Sequence, residues 1–317
     1  MQFSVTILGS NSALPTSHRN PTAQLLNVAE RFFLIDCGEG TQLQLRRNKI
    51  KFTKINHIFI SHLHGDHCFG LIGLISTLGL LKRQVPLCIY AHSDLKDLLQ
   101  PHLIYFCADL PFEVKFIAID PAIKHEIYCD DKIRVSTIPL NHRVPTCGFL
   151  FEEMCDARKI NPVEIKRHSV SLKDIVLIRA GDDWIAPNGD VVPNSQLTVP
   201  GNNSRSYAFC SDTQYCPNLK DYFSNTSLLY HEATFLHELL DLAQRSSHST
   251  ALQAGQVALD LNSKYLAIGH FSSRYRDTSL LLAESCSIFP NTFEAKEGRT
   301  FFIHNNPEIS ISVEDLF

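Results

Sequence analysis

Residues 61–67 bring together four side chains of the types that bind metal ions. They form an H-x-H-x-D-H cluster directly after the apolar run 57–60, and they read Ser61-His62-Leu63-His64-Gly65-Asp66-His67. Imidazoles and carboxylates are ligands for borderline metals such as zinc. A His-rich loop can also be merely polar and exposed, but this density between a strand and an apolar helix favours ligation. The cluster therefore predicts a metalloenzyme.

The cluster offers more ligands than one ion can comfortably use. Asp66 and His67 are adjacent and should point differently from His62 and His64, which suggests two ions with further ligands, one of them a bridging oxygen. Strand ends at one sheet edge converge in space, and His or Asp follows three other strand-like runs. The candidates are His142 after 133–140, Asp212 after 207–210 and His270 after 265–269.

The elements that must position these residues alternate between short apolar strands and helices, which predicts an α/β layered fold. Predicted strands cover residues 4–8, 31–36, 57–60, 87–91, 112–119, 132–139, 148–151, 206–210, 228–231, 265–269 and 301–303. Predicted helices cover residues 40–49, 68–82, 93–102, 237–244, 249–261 and 279–287. Residues 152–204 combine a basic helical piece with Gly-, Pro- and Asn-rich stretches, so we expect an excursion from the core.

Composition is that of an ordinary globular chain with local basic stretches. The 317 residues carry a net charge of −4, so the whole chain is not an obvious nucleic-acid binder. Between Gly40 and Gly65, however, there is no Asp or Glu, and five cations precede the metal cluster: Arg46, Arg47, Lys49, Lys51 and Lys54. Beside a metal site, this stretch favours an anionic, phosphate-bearing substrate over a merely solvated helix face.

Cysteine usage and hydropathy indicate the compartment. The ten cysteines form no C-x-x-C pair, and several lie in apolar runs, which suits a reducing environment. No apolar stretch reaches the roughly 18 residues needed to span a bilayer, and no secretory signal is evident at the start. We therefore expect a cytoplasmic protein without a membrane segment.

The order of the candidate ligands resembles the metallo-β-lactamase superfamily over nearly the whole chain. That resemblance implies a four-layer αββα sandwich forming a single domain over 1–317, with the inserted segment between His142 and Asp212. It also implies that Asp36 supports the loop that carries the H-x-H-x-D-H cluster. It implies two zinc ions that share Asp212, with His62, His64 and His142 on one and Asp66, His67 and His270 on the other.

Finer motifs resemble the ribonuclease Z family, short form. They are 36–42 (Asp-Cys-Gly-Glu-Gly-Thr-Gln), 141–145 followed by Gly148-Phe149, 210–213, 231–235 (His-Glu-Ala-Thr-Phe), 248–250 and 269–275. The resemblance implies a zinc-dependent endoribonuclease, acting as a homodimer, that removes the 3′ trailer from precursor tRNA and leaves a 3′-hydroxyl. It makes Asp66 the general base. His248 would protonate or orient the leaving 3′ oxygen, with Glu232 fixing its tautomer.

Substrate contacts are expected from two loops and the inserted segment. Arg19 and Asn20 match the family loop P-x-K-x-R-N, although Ser17 stands at its Lys position, and Arg274 would bind a phosphate. Residues 152–204 match the position of the family's tRNA-binding arm, and we expect them to form a divergent arm.

Two alternatives stay open. One is a small-molecule metallo-hydrolase on the same fold, such as a phosphodiesterase, an arylsulfatase-like enzyme or a lactonase. The other is a catalytically silent RNA-binding member, which metal content would distinguish. Mn²⁺ or Co²⁺ could also occupy a site of His and Asp ligands.

Overall fold

The computed structural model describes residues 1–154, 158–199, 204–306 and 310–316. The chain divides into two compact units, Met1–Glu152 with Arg205–Phe317, and Glu153–Ser204. The strands of the described residues are β1 (Phe3–Gly9), β2 (Ala23–Val28), β3 (Arg31–Ile35), β4 (Ile55–Phe59), β5 (Leu87–Ala91), β6 (Val114–Ala118), β7 (Glu126–Cys129), β8 (Ile133–Pro139), β9 (Cys147–Glu153), β10 (Lys159–Ile160), β11 (Trp184–Ile185), β12 (Val191–Val192), β13 (Thr198–Val199), β14 (Ser206–Cys210), β15 (Leu228–Glu232), β16 (Leu266–Gly269), β17 (Thr292–Glu294), β18 (Arg299–Ile303) and β19 (Ile311–Asp315). The helices are α1 (Thr41–Arg47), α2 (Gly65–Cys68), α3 (Gly70–Leu80), α4 (Asp94–Phe106), α5 (Pro162–Arg167), α6 (Leu172–Ala180), α7 (Asn194–Leu197), α8 (Leu240–Ser246), α9 (Ala251–Asp260) and α10 (Ser279–Ile288).

Two large sheets form the first unit. The eight-stranded sheet has the order β19-β18-β1-β2-β3-β4-β5-β6, and the seven-stranded sheet has the order β17-β16-β15-β14-β9-β8-β7. Strands β3 to β6 run parallel, as do β14 to β17. Each sheet therefore has a parallel half whose strand ends meet at one edge, where α/β folds place their ligands.

The two sheets pack face to face through aromatic side chains. Phe33 and Phe59 of the first sheet lie 5.9 and 5.5 Å, between ring centroids, from Phe151 of the second. Along β3, Phe33 and Ile35 join this central core while Leu34 joins the core beneath the helices. This alternation follows from the two-residue period of a strand, so a strand with apolar residues on both faces is covered on both sides.

Helices cover the outer face of each sheet. Leu71, Leu74 and Leu78 of α3 pack on the first sheet together with α4 residues, and Ala254 and Val257 of α9 pack on the second. The result is the four-layer αββα sandwich, which confirms the predicted fold class. No helix in the described residues is long and apolar enough to cross a membrane.

The unit Glu153–Ser204 has a small core of its own, formed by Ile178, Trp184, Val192 and Leu197. Two short antiparallel strand pairs, β10 with β13 and β11 with β12, accompany its helices. Helix α6 is preceded by Ser171, whose side chain accepts a hydrogen bond from the Asp174 N–H, and is followed by Gly181 with a φ of 112°. Both are ordinary helix caps.

Four strands of the two large sheets, β2, β7, β17 and β19, were not predicted, and one predicted helix is divided. Strand β2 was not predicted, because its buried Gln24 and Asn27 interrupt the apolar pattern. Inside the protein, Gln24 accepts a hydrogen bond from the Tyr207 hydroxyl, and Asn27 accepts one from the Glu30 N–H. The predicted helix 68–82 is divided at Phe69, where α2 ends and α3 begins.

Candidate metal centre

The predicted ligands lie where strands of both sheets end. Asp36 follows β3, His62 comes shortly after β4, and Asp212 and His270 come just after β14 and β16. Asp36, Asp212 and His270 have φ values of 56°, 57° and 56°, in the left-handed region that residues other than glycine seldom adopt. Such backbone strain is concentrated at functional sites, and here it turns the chain sharply at the ends of three strands.

The seven predicted ligands form two groups around Asp212. In each group, the candidate ligand atoms lie within 4.8 Å of one another. The first group consists of His62, His64, His142 and Asp212, and the second consists of Asp66, His67 and His270. Asp212 also groups with His270 and His248.

Each carboxylate oxygen of Asp212 faces a different group. Oδ2 lies 3.5 Å from Nε2 of His62 and 3.7 Å from Nε2 of His142. Oδ1 lies 3.2 Å from Nε2 of His67 and 2.9 Å from Nε2 of His270. A carboxylate placed in this way can serve two cations at once.

Hydrogen bonds from the surrounding protein fix the rings of the ligands. Nδ1 of His67 lies 2.7 Å from Asp36 Oδ2, and Nδ1 of His142 donates to the Ser247 carbonyl at 2.8 Å. Nδ1 of His270 lies 3.1 Å from the Thr234 hydroxyl. With Nδ1 held in this way, Nε2 is left as the nitrogen available to a metal ion.

The available nitrogens fit a bound cation. Nε2 of His67, His142 and His270 is buried and makes no hydrogen bond, although Asp212 oxygens lie 3.2, 3.7 and 2.9 Å from these three atoms. A buried polar atom without a partner is costly, and a divalent metal would provide that partner. The donor set, imidazoles with carboxylates, is the one that zinc-like metals take.

The histidines of the site differ in the direction in which their pKa values are shifted. Burial, with the neighbouring His67 next in weight, holds the pKa of His62 well below its ordinary value. Burial, the largest single influence, disfavours charge on His270, but the Asp212, Asp66 and Glu232 carboxylates together outweigh it and raise the pKa of His270 to about 10. Burial likewise opposes charge on His67, yet Asp212 and Asp36 raise its pKa well above the ordinary value. Without a cation, protons therefore offset the charge of the buried carboxylates.

His248 lies next to the metal ligands and is paired with Glu232. Its Nδ1 is 3.0 Å from Glu232 Oε1, and its ring centroid is 5.2 Å from that of His142 and 5.4 Å from that of His270. Burial, the largest single influence, lowers the pKa of His248, but the Glu232 and Asp212 carboxylates together outweigh it, and the net shift is upward. Because Nδ1 faces Glu232, Nε2 is the nitrogen left to meet a substrate.

Glu232 is buried and its carboxylate is fully used by the protein. Oε1 also accepts the Thr213 N–H at 2.6 Å, and Oε2 accepts the Ser249 N–H at 3.0 Å and the Thr234 hydroxyl at 2.5 Å. This set of donors orients Glu232 towards His248 and away from direct metal ligation.

The residues expected to contact substrate also make contacts with other groups of the protein. The Arg19 guanidinium donates to the Asn11 side chain at 2.8 Å and to the Tyr275 carbonyl at 2.6 Å, so it joins two loops. The Asn20 N–H donates to the Glu297 carboxylate at 3.0 Å. Arg274 lies over the Phe235 ring, 5.0 Å from its centroid, and Nε donates to the Ser272 hydroxyl.

Three contributors were not predicted from the sequence. Thr234 bridges Glu232 and His270, and Ser61 donates its N–H and hydroxyl to Asp36 at 2.8 and 2.9 Å. The Ala13 N–H donates to Asp66 Oδ2 at 2.8 Å. Thr234 could have been found from the sequence, because its hydroxyl belongs to the His-Glu-Ala-Thr-Phe motif. Ala13 could not, because it acts through its backbone N–H, which every residue except proline has.

Known proteins are similar to this chain in sequence and in fold. A family model described as anti-Pycsar protein Apyc1 matches residues 3–160. Ribonuclease Z of Phocaeicola vulgatus is 48% identical over 301 residues, which cover 93% of this chain and 96% of that protein. Human tRNase Z, short form, has a crystal structure with a TM-score of 0.67 at 25% identity, covering 94% of this chain and 98% of that one.

A more distant structure shows the fold alone. The metallo-β-lactamase fold protein YhfI from Bacillus subtilis has a TM-score of 0.67 at 17% identity and covers 95% of this chain. With a metallo-β-lactamase fold and a ribonuclease Z sequence, the chain is a divalent-metal protein, and its His and Asp cluster is compatible with that metal. On sequence identity over nearly its full length, the chain belongs to the ribonuclease Z family.

Proposed function

We propose that this chain is a metal-dependent endoribonuclease that removes the 3′ extension from precursor tRNA and leaves a 3′-hydroxyl on the tRNA. The observation that carries the proposal is the pair of ligand groups sharing Asp212, in a chain 48% identical to a ribonuclease Z. A buried cluster of this kind suits hydrolysis of a phosphodiester, whose charge must be offset during attack.

We assign two Zn²⁺ ions per subunit to the centre. His62, His64 and His142 would hold one, and Asp66, His67 and His270 the other, with Asp212 shared between them. When bound, such ions lower the pKa of a water molecule and offset the negative charge of the phosphodiester. Mn²⁺ or Co²⁺ could use the same donors.

Proton transfers fall to residues of the chain. In the reaction, the oxygen of a water molecule bonds to phosphorus while the bond from phosphorus to the 3′ oxygen of the tRNA breaks. Asp66, held by the Ala13 N–H, accepts the proton of the water. His248 gives a proton to the leaving 3′ oxygen, and Glu232 fixes the tautomer that points Nε2 at the substrate.

Cationic groups supply the rest of the substrate contacts in this proposal. Arg274 is exposed, and its planar guanidinium suits a phosphate. Arg19 acts by joining the loop at Asn11 to the loop at Tyr275, and Asn20 lies beside it. The unit Glu153–Ser204 serves as a divergent tRNA-binding arm, and its basic residues contact backbone phosphates.

Assembly and compartment complete the proposal. We propose a homodimer in which the arm of one subunit serves tRNA held by the other, and this rests on family resemblance alone. We also propose a cytoplasmic location. The cysteines that the structure describes are free thiols, which suits a reducing compartment.

The test is cleavage of a 3′-extended precursor tRNA by zinc-loaded protein, with both product ends mapped. We expect a single cut near the discriminator base that is lost in Asp66→Ala. Retained hydrolysis of small phosphodiesters or sulfate esters without any cut in tRNA would instead assign the chain to the small-molecule hydrolases.

A further inference from the structure

Phe69 is an aromatic side chain exposed beside the metal-ligand loop. It lies between α2, which carries Asp66 and His67, and α3. Its neighbours Cys68 and Gly70 are buried, yet Phe69 is 73% exposed. It belongs to none of the hydrophobic clusters found in the described residues.

The ring lies against the ligand loop. A Cβ atom added to Gly65 would lie 2.3 Å from Cε2 and 2.5 Å from Cζ of Phe69. The ring therefore covers Gly65, the residue between the ligands His64 and Asp66, and the absence of a side chain there allows this approach. One edge of the ring contacts the ligand loop while the rest faces solvent.

The exposed ring stands apart from the other apolar surface of its helix. Leu80, at the far end of α3, is 82% exposed, but ten residues of helix place it roughly 15 Å away. Single exposed apolar side chains are common, so exposure alone indicates nothing. Placement over the predicted metal-ligand loop, with the ring against Gly65, is what distinguishes Phe69.

Resting on the proposed function, we propose that Phe69 binds the RNA by stacking against a nucleobase next to the cleaved phosphodiester. Proteins recognise single-stranded RNA by stacking its unpaired bases on aromatic rings, and every base offers a π-face. A precursor with a 3′ extension is single-stranded at the cut. Stacking there would hold the scissile phosphate over the metal centre without selecting a sequence.

A cycle of protein and substrate changes tests the stacking. Phe69→Ala should lower kcat/KM for intact precursor tRNA about 10-fold, the scale found for base–aromatic stacking, whereas Phe69→Tyr should stay within about 2-fold. Substrates with one abasic nucleotide, immediately 5′ or 3′ of the cut, complete the cycle. At the stacked position, the abasic change should slow the wild type to the Phe69→Ala rate and slow Phe69→Ala no further.

Phe106→Ala is the matched control, since Phe106 is 63% exposed on α4 and should leave all rates unchanged. A wild type that cuts tRNA while Phe69→Ala cuts it equally well would overturn the stacking but leave the proposed function intact. Independent losses from Phe69→Ala and from both abasic substrates would also overturn it. A wild type that does not cut tRNA would contradict the proposed function itself.

Discussion

In the proposed metal centre, each histidine of the second group has one ring nitrogen held by the protein and one left for a metal ion. In His67 and His270, Nδ1 faces Asp36 or Thr234, and Nε2 is buried without a hydrogen bond. Residue type alone predicts which side chains are ligands, but the hydrogen-bond partners of Nδ1 determine the tautomer. His248 follows the same rule with Glu232, although in the proposed function its other nitrogen serves the substrate.

Glu232→Gln should shift the pH dependence of cleavage. Removing the carboxylate takes away the charge that raises the pKa of His248, so the protonated acid persists only to lower pH. The descending, alkaline limb of kcat against pH should therefore move to lower pH. We expect kcat to fall about 10- to 100-fold near neutrality, as for other groups that orient a catalytic ring.

Bound metal is the control for this variant, because Glu232 contacts no metal ion in the proposal. Zinc content by mass spectrometry should equal that of the wild type. An unshifted alkaline limb with normal zinc content would show that His248 is not the proton donor.

At the scale of elements, the sheets bring the ligands together. That His142, Asp212 and His270 end strand-like runs was visible in the sequence, because apolar runs followed by ligand types mark strand ends. The hairpin between β2 and β3 was not visible. Its turn residues Ala29 and Glu30 have φ values of 50° and 66°, where Asn-Gly is the usual signal.

Helix α3 is fixed to the ligand-supporting loop at its first residue. A Cβ atom at Gly70 would lie 2.1 Å from the Gly38 carbonyl oxygen and 2.8 Å from that of Cys37. Gly70→Ala should lower the free energy of unfolding by about 1–3 kcal/mol, because backbone cannot yield as a side chain can. Urea unfolding of the metal-free protein measures this.

Gly73→Ala, on the same helix, is the comparison. The three atoms nearest to its Cβ would all belong to the movable Gln42 side chain, the first at 2.7 Å, and alanine favours a helix over glycine by up to about 1 kcal/mol. We expect Gly73→Ala to keep or raise stability. If both substitutions had equal effects, the close approach at Gly70 would not matter.

The unit Glu153–Ser204 provides a test of its own as a tRNA-binding arm. Arg158 is a poor choice there, because it donates to Thr198 and so supports the local fold. Lys166→Ala with Arg167→Ala should instead weaken tRNA binding and reduce the slope of log K against log salt by about 1 per lost phosphate contact. Filter binding over a salt series measures both.

A charge-matched control separates the arm from general charge effects. Lys115→Ala with Arg134→Ala removes two exposed cations from β6 and β8 and should leave the salt slope unchanged. Equal slopes for all three proteins would reject the arm assignment.

At the scale of the whole molecule, metal uptake is coupled to protonation and to stability. The pKa of His67 is raised and that of His270 reaches about 10, so both are protonated at pH 7 without metal. Their raised pKa stabilises the metal-free fold below about 6.5, and that stabilisation is lost as pH rises towards 10. Zinc takes neutral imidazoles, so its binding must release protons and tighten with pH.

Calorimetry and thermal unfolding should show this coupling. Between pH 6.5 and 8.5, zinc affinity should rise, protons should appear in a weakly buffered solution, and saturating zinc should raise Tm by roughly 5 °C or more. Binding that releases no protons would contradict the charge state assigned to His67 and His270.

In the proposed function, two metal ions share Asp212 and tRNA cleavage depends on both. The most direct measurement counts zinc per chain and precursor tRNA cleavage in the same samples of wild type and Asp212→Ala. We predict two zinc ions per wild-type chain. In Asp212→Ala, the zinc content should fall by one ion or more per chain and the cleavage rate should fall at least 100-fold. An Asp212→Ala protein that retains two ions and cuts precursor tRNA at the wild-type rate would contradict the shared role of Asp212.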